Sequence, residues 1–104
     1  MKAPRGLEKH GRALWAQLQD EYAIVDAGGL ALLTTACQCQ DIEQASMATA
    51  RKDGFSTTDR YGQRRPHPLL SVARDARAQK LSALKSLHLD VEPLKSRPGR
   101  PAGR

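Results

Sequence analysis

Apolar positions in the first quarter of the chain recur at helical spacing. In "LEKHGRALWAQLQDEYAIV", residues 7–25, Leu7, Gly11, Leu14, Leu18, Tyr22 and Val25 share one side of a helix at about 100° per residue, with Trp15 at the edge. The other face carries Glu8, Arg12 and Gln19 and reads as solvated surface. Asp26 then offers a side-chain oxygen to start a second helix, and Gly54 follows Arg51 and Lys52 as its stop. Gly28 and Gly29 weaken the first turn and move its expected start to residue 29 or 30. Leu30, Leu32, Leu33, Ala36, Cys37, Ile42, Met47 and Ala48 spread around much of this helix, so burial on several sides is expected. The short link between the two segments predicts an antiparallel helical hairpin.

After Gly54 the pattern changes. Phe55, Thr57 and Thr58 favour extended chain, "DRYG" supplies a turn in which Gly62 is free to take positive φ, and Gln63 to Arg65 can return as a second strand. Two strands alone are barely stable in water, so this β-hairpin is expected to lean on the helices or on another subunit. Pro66 and Pro68 then set up a third helix over about residues 68–88. Its leucine stripe, Leu69, Leu70, Ala73, Leu81, Leu84 and Leu87, takes in Arg77, while Arg74 and Lys85 sit at its edge. A cation inside an apolar stripe needs a partner or a route to the rim; an ion pair between subunits and simple snorkelling both satisfy that.

The fold class expected is therefore mainly α: a helical hairpin, a short two-stranded β-hairpin, a third long helix and a disordered basic tail. The layout is a flexible arm over residues 1–6, one helical domain over 7–90, and a flexible Pro/Gly-rich tail over 91–104. The 104 residues include only four aromatics, Trp15, Tyr22, Phe55 and Tyr61, so the core is thin and part of the apolar surface is expected to meet another copy. Trp15, Tyr22, Arg77, Leu81 and Leu84 are the candidate residues for that interface.

Charge narrows the partner. Residues 1–25 carry four Lys/Arg against three Asp/Glu, residues 26–53 two against four, and residues 54–104 eleven against four, so the whole net charge of +6 arises in the second half. A basic half of this kind favours a polyanion, with nucleic acid first. Candidate DNA contacts are Arg60, Arg64, Arg65, Arg74, Arg77, Lys85, Lys95, Arg97, Arg100 and Arg104. Within the tail, "RPGRP" resembles the Gly-Arg-Pro core of an AT-hook, and an alternative reading makes the chain a small bacterial DNA-binding protein that uses this tail. A protein-interaction adaptor without nucleic acid is a third class.

Chemistry is sparse. Cys37 and Cys39 lie too close together for a comfortable helical disulfide, no further Cys or nearby His completes a metal set, and two buried thiols are expected. There is no phosphate-binding glycine loop, no G-x-S-x-G elbow and no H-E-x-x-H helix, so neither an enzyme nor a cofactor is expected. No apolar run approaches 18 residues and no leader pattern opens the chain, which points to a cytoplasmic protein without a membrane span.

The order "GRALWAQLQDEYAI", "LLTTACQCQDIEQA", "DGFSTTDRYGQRRPHPLLSVARDARA" and "LKSLHLDVEP" resembles the P27 family of phage terminase small subunits over roughly residues 7–94. The junction between β-hairpin and third helix is the most specific part. This chain departs from the pattern in its very short arm before Leu7 and in His67, where a better helix cap such as Asn is expected. The resemblance implies a non-enzymatic component of a DNA-packaging motor in the cytoplasm of a bacterial host. Such subunits form homo-oligomeric rings, mark the packaging start on viral DNA, and regulate the ATPase and nuclease of the terminase large subunit. It also implies that the β-hairpin holds the second and third helices in place and helps build the subunit contact.

Overall fold

A single carboxylate in the middle of the longest helix organises the first half of the molecule. The structure, a computed structural model, describes residues 2–88. Its elements are α1 (Lys9–Tyr22), α2 (Ala27–Asp53), β1 (Ser56–Thr58), β2 (Arg64–Pro66) and α3 (Pro68–Ser86). Asp41 of α2 accepts the Glu8 N–H through Oδ2 and the Gly11 N–H through Oδ1, both at 2.7 Å. Glu8 is the N-cap of α1 but makes no side-chain cap bond, and the third helical residue is a glycine with no side chain to reach back. Asp41 thus does from another helix what the two residues of a capping box do for themselves. The arrangement demands close approach. A Cβ on Gly11 would lie 2.7 Å from the Cys37 carbonyl oxygen and would overlap the Asp41 carboxylate.

Helix α2, with 27 residues and therefore roughly 40 Å long at 1.5 Å per residue, is the central element, and both other helices pack on it. Between α1 and α2 lies the apolar core of Leu7, Trp15, Ile24, Leu33 and Cys37, with Leu14, Leu18, Tyr22, Leu30 and Leu87 packed around it. Leu33 and Cys37 are fully buried and Trp15 is 5% exposed, so the tryptophan placed at the edge of the stripe, and among the candidate interface residues, belongs to the chain's own core. Leu87, just beyond α3, brings that helix back onto the same core.

Between α2 and α3 the contact is made by small side chains. Ala36, Ser46 and Ala50 on one helix and Ala73, Ala76 and Ala83 on the other are buried. The helices run antiparallel, as the pairs Asp53 with His67, Glu43 with Lys80 and Cys39 with Gln79 record. Lys80 Nζ donates to Glu43 Oε1 at 2.8 Å and to Gln40 Oε1 at 2.7 Å, and the side chains of the ion pair are only 16% and 14% exposed. Among the described residues no buried side-chain nitrogen or oxygen lacks a partner.

Several expectations shift for identifiable reasons. Helix α1 spans Lys9–Tyr22 rather than 7–25, because Ala23 takes the left-handed conformation at φ 49° and its N–H closes on the Gln19 carbonyl. That turn breaks the helical phase, so Ile24 is buried and Val25 is 71% exposed. Helix α2 starts at Ala27, ahead of both glycines, because Asp26 Oδ2 accepts the Gly29 N–H at 2.8 Å and fixes the first turn there. Arg77 is exposed and Leu81 is 52% exposed, since alanines rather than leucines define the buried side of α3. This turns the buried face by roughly 60° at 100° per residue, and Lys80 becomes the cation inside it. Helix α3 ends at Ser86 instead of 88.

His67 serves as the cap of α3. Its Nδ1 accepts the Leu69 N–H at 3.0 Å, which places the ring proton on Nε2, and Nε2 donates to Asp53 Oδ2 at 3.1 Å. One imidazole therefore ties the start of α3 to the end of α2. The tail expected over 91–104 lies outside the described residues.

Candidate nucleic-acid interface

The β-hairpin is displayed and not packed. All six strand residues are exposed, and the return strand is Arg64–Pro66, one residue later than expected. Of the two supports expected for it, the helices do not cover it within one copy, and its turn is closed by its own residues. Asp59 Oδ1 accepts the Tyr61 and Gln63 N–H groups at 2.9 Å, Oδ2 accepts from Arg65 Nε at 3.0 Å, and Gly62 supplies the positive φ of 80°. The Gln63 N–H first, and then the Arg65 guanidinium, hold the Asp59 carboxyl below the usual aspartate value.

The three arginines of this hairpin are therefore not equivalent. Arg65 is committed to Asp59 and to Gln63 Oε1. Arg64 donates to Ser56 Oγ at 2.6 Å, an exposed contact that a phosphate oxygen can replace. Arg60 lies over the ring of Tyr61, 5.4 Å from its centre, at the tip. A guanidinium stacked on an exposed aromatic is preorganised without losing its donors. Arg51 and Lys52 close α2 beside the start of the hairpin, so residues 51–66 carry five Lys/Arg against two Asp. Sequence reasoning assigned these last two cations only to helix termination. Their position before the hairpin was the available signal.

Along α3 the cations are spread out. Arg74 and Arg77 are exposed and flank a shallow groove of about 240 Å³ that Glu43, Met47, Leu70 and Ala73 complete. Arg74 approaches Asp75 only at 3.8 Å with both side chains largely in solvent, a pairing of negligible energy. Lys85 is exposed near the far end of the helix. Lys95, Arg97, Arg100 and Arg104 lie outside the described residues. Of the candidate subunit contacts, Leu81 offers surface and Leu84 and Tyr22 are half-buried.

Other chemistry is limited. Cys37 and Cys39 are free and buried, and burial with the nearby Asp41 charge pushes the Cys37 thiol up to about 12, far from a reactive thiolate. Among the described residues no three His, Cys, Asp or Glu side chains gather where they could hold a metal ion, and no helix is long and apolar enough to cross a membrane. No family model, curated protein or solved structure matches this chain.

Proposed function

We propose that this chain is the small, non-enzymatic subunit of a phage or prophage DNA-packaging terminase, of the P27 type, acting in the bacterial cytoplasm. It binds double-stranded DNA at the packaging start, assembles with copies of itself into a ring, and regulates the ATPase and nuclease of the large subunit. The observation that supports this most is the exposed basic β-hairpin, its turn closed by Asp59 and presented at the junction of α2 and α3. A two-stranded ribbon fits a DNA groove, and a guanidinium already stacked on Tyr61 loses less entropy on meeting a phosphate than a free one. The order of elements, a helical hairpin, a β-hairpin and a third helix, agrees with the resemblance in the sequence.

A regulatory subunit has to act through its partner. Alone the protein is expected neither to hydrolyse ATP nor to cut DNA; added to its cognate large subunit with cognate DNA, it is expected to change the ATPase rate severalfold. A steady-state ATPase assay reads this out, and an unchanged rate with a large subunit shown to be active would refute the regulatory role.

A further inference from the structure

The two edges of the β-hairpin differ in a way that selects one partner. The register pairs Ser56 with Pro66, Thr57 with Arg65 and Thr58 with Arg64. The His67 N–H donates to the Phe55 carbonyl at 2.7 Å and the Asp59 N–H to the Gln63 carbonyl at 2.9 Å. Bonded and non-bonded pairs alternate in an antiparallel ladder, so Thr57 faces β2, whereas Ser56 and Thr58 turn their N–H and C=O groups outward. On the other edge the outward residues are Arg64 and Pro66, and Pro66 has no N–H to give. One edge is complete and neutral; the other is broken and basic.

We propose that β1 is an interaction surface for a second copy of this chain, the two β1 strands pairing antiparallel about a two-fold axis through Thr57. In that register Ser56 of each copy meets Thr58 of the other, and all four outward groups of each edge find partners. Pairing through β2 lacks the Pro66 N–H and sets arginines against arginines, and a head-to-tail pairing of β1 with β2 meets the same missing donor. The product is a four-stranded sheet in the order β2, β1, β1, β2, with the arginines of both copies on its outer strands. A hairpin this short and this exposed is marginal alone, and the pairing doubles its strand number. Phe55, 48% exposed, comes beside the turn that starts at Asp59 of the other copy. A two-fold contact closes after two copies, so a ring would need a separate interface on the helices. The pairing is independent of the packaging role and needs no DNA to test.

At the axis the two Thr57 residues form a non-bonded pair with Cα atoms about 4.5 Å apart, within the range that a disulfide spans. The full-length variants Ser56→Cys, Thr57→Cys and Thr58→Cys are compared under mild oxidation on non-reducing gels, the native thiols being buried. Thr57→Cys is expected to form covalent dimer at least ten times faster than the other two, since only residue 57 meets its own copy. Adding Thr58→Pro, which removes an outward N–H from β1, should slow that cross-linking at least tenfold, whereas adding Arg64→Pro on the opposite edge should leave it unchanged. Equal rates at positions 56, 57 and 58, or no dimer from a Thr57→Cys thiol that reacts freely with a small reagent, would overturn the pairing. The three cysteine variants decide between these outcomes even if a proline variant does not fold.

Discussion

Trp15→Ala is expected to destabilise the folded chain by about 3 to 5 kcal/mol, the usual cost of emptying a large aromatic site in a core. Trp15 packs with Leu7, Ile24, Leu33 and Cys37, and the cluster contains no other aromatic among its buried members. For a small domain, whose total stability begins at about 5 kcal/mol, such a loss leaves a large unfolded fraction at room temperature. Urea denaturation followed by circular dichroism is the measurement. A tryptophan serving the subunit contact would behave differently: the variant would keep its unfolding midpoint at low concentration and lose only its assembled mass. The burial of Trp15 in a single copy decides for the first outcome.

Gly11→Ala is the second large effect, and its sign is the opposite of what helix propensity gives. Alanine in place of glycine normally gains about 1 kcal/mol in a helix interior. Here the added Cβ would collide with the Cys37 carbonyl oxygen and the Asp41 carboxylate, neither of which can withdraw without opening α1 from α2 or releasing the Glu8 and Gly11 N–H groups. A net loss of about 2 kcal/mol is expected, from overpacking together with the weakened cap. Pairing the substitution with Asp41→Ala gives the coupling: the double variant should be less damaged than the sum, because removing the carboxylate also removes part of the clash. Additive losses in urea melts would mean that glycine is not required by the cap.

The elements were legible because each begins or ends on a local signal: Asp26 before α2, Gly54 after it, Gly62 in the turn and Pro68 in the first turn of α3. The faces were less legible. Leucines weigh most in a helical wheel, yet α2 and α3 meet through alanines and a serine, whose small size permits close approach and leaves Leu81 half in solvent. The same wheel held Arg77 inside its stripe and passed over Lys80, and only the position of Glu43 on the neighbouring helix explains why a cation belongs on the buried side. Asp41 as the cap of α1 was beyond reach, since it acts across about 30 residues on a helix end that carries no capping side chain of its own. For the candidate site, the arginines of the β-hairpin were visible as a basic cluster, but their division into a structural Arg65 and available Arg60 and Arg64 depends on Asp59 geometry.

A salt titration of DNA affinity asks whether this chain holds duplex DNA through its hairpin and tail cations. Full-length protein, the Arg60→Ala/Arg64→Ala pair, a chain lacking residues 95–104 and Arg100→Ala are titrated on A·T-rich and G·C-rich duplexes. With each neutralised phosphate adding roughly 0.9 to the slope of log K against log salt, losing Arg60 and Arg64 should lower its magnitude by up to about 1.8 per engaged subunit. Losing Lys95, Arg97, Arg100 and Arg104 should lower it by up to about 3.6. An AT-hook mechanism would instead make Arg100→Ala nearly as damaging as the truncation and confine the loss to A·T-rich probes. Parallel losses on both probes are expected, with the hairpin pair reducing the slope while the unfolding midpoint is retained. Full-length protein without measurable duplex affinity at low salt, or a slope unchanged in every variant, would contradict that expectation.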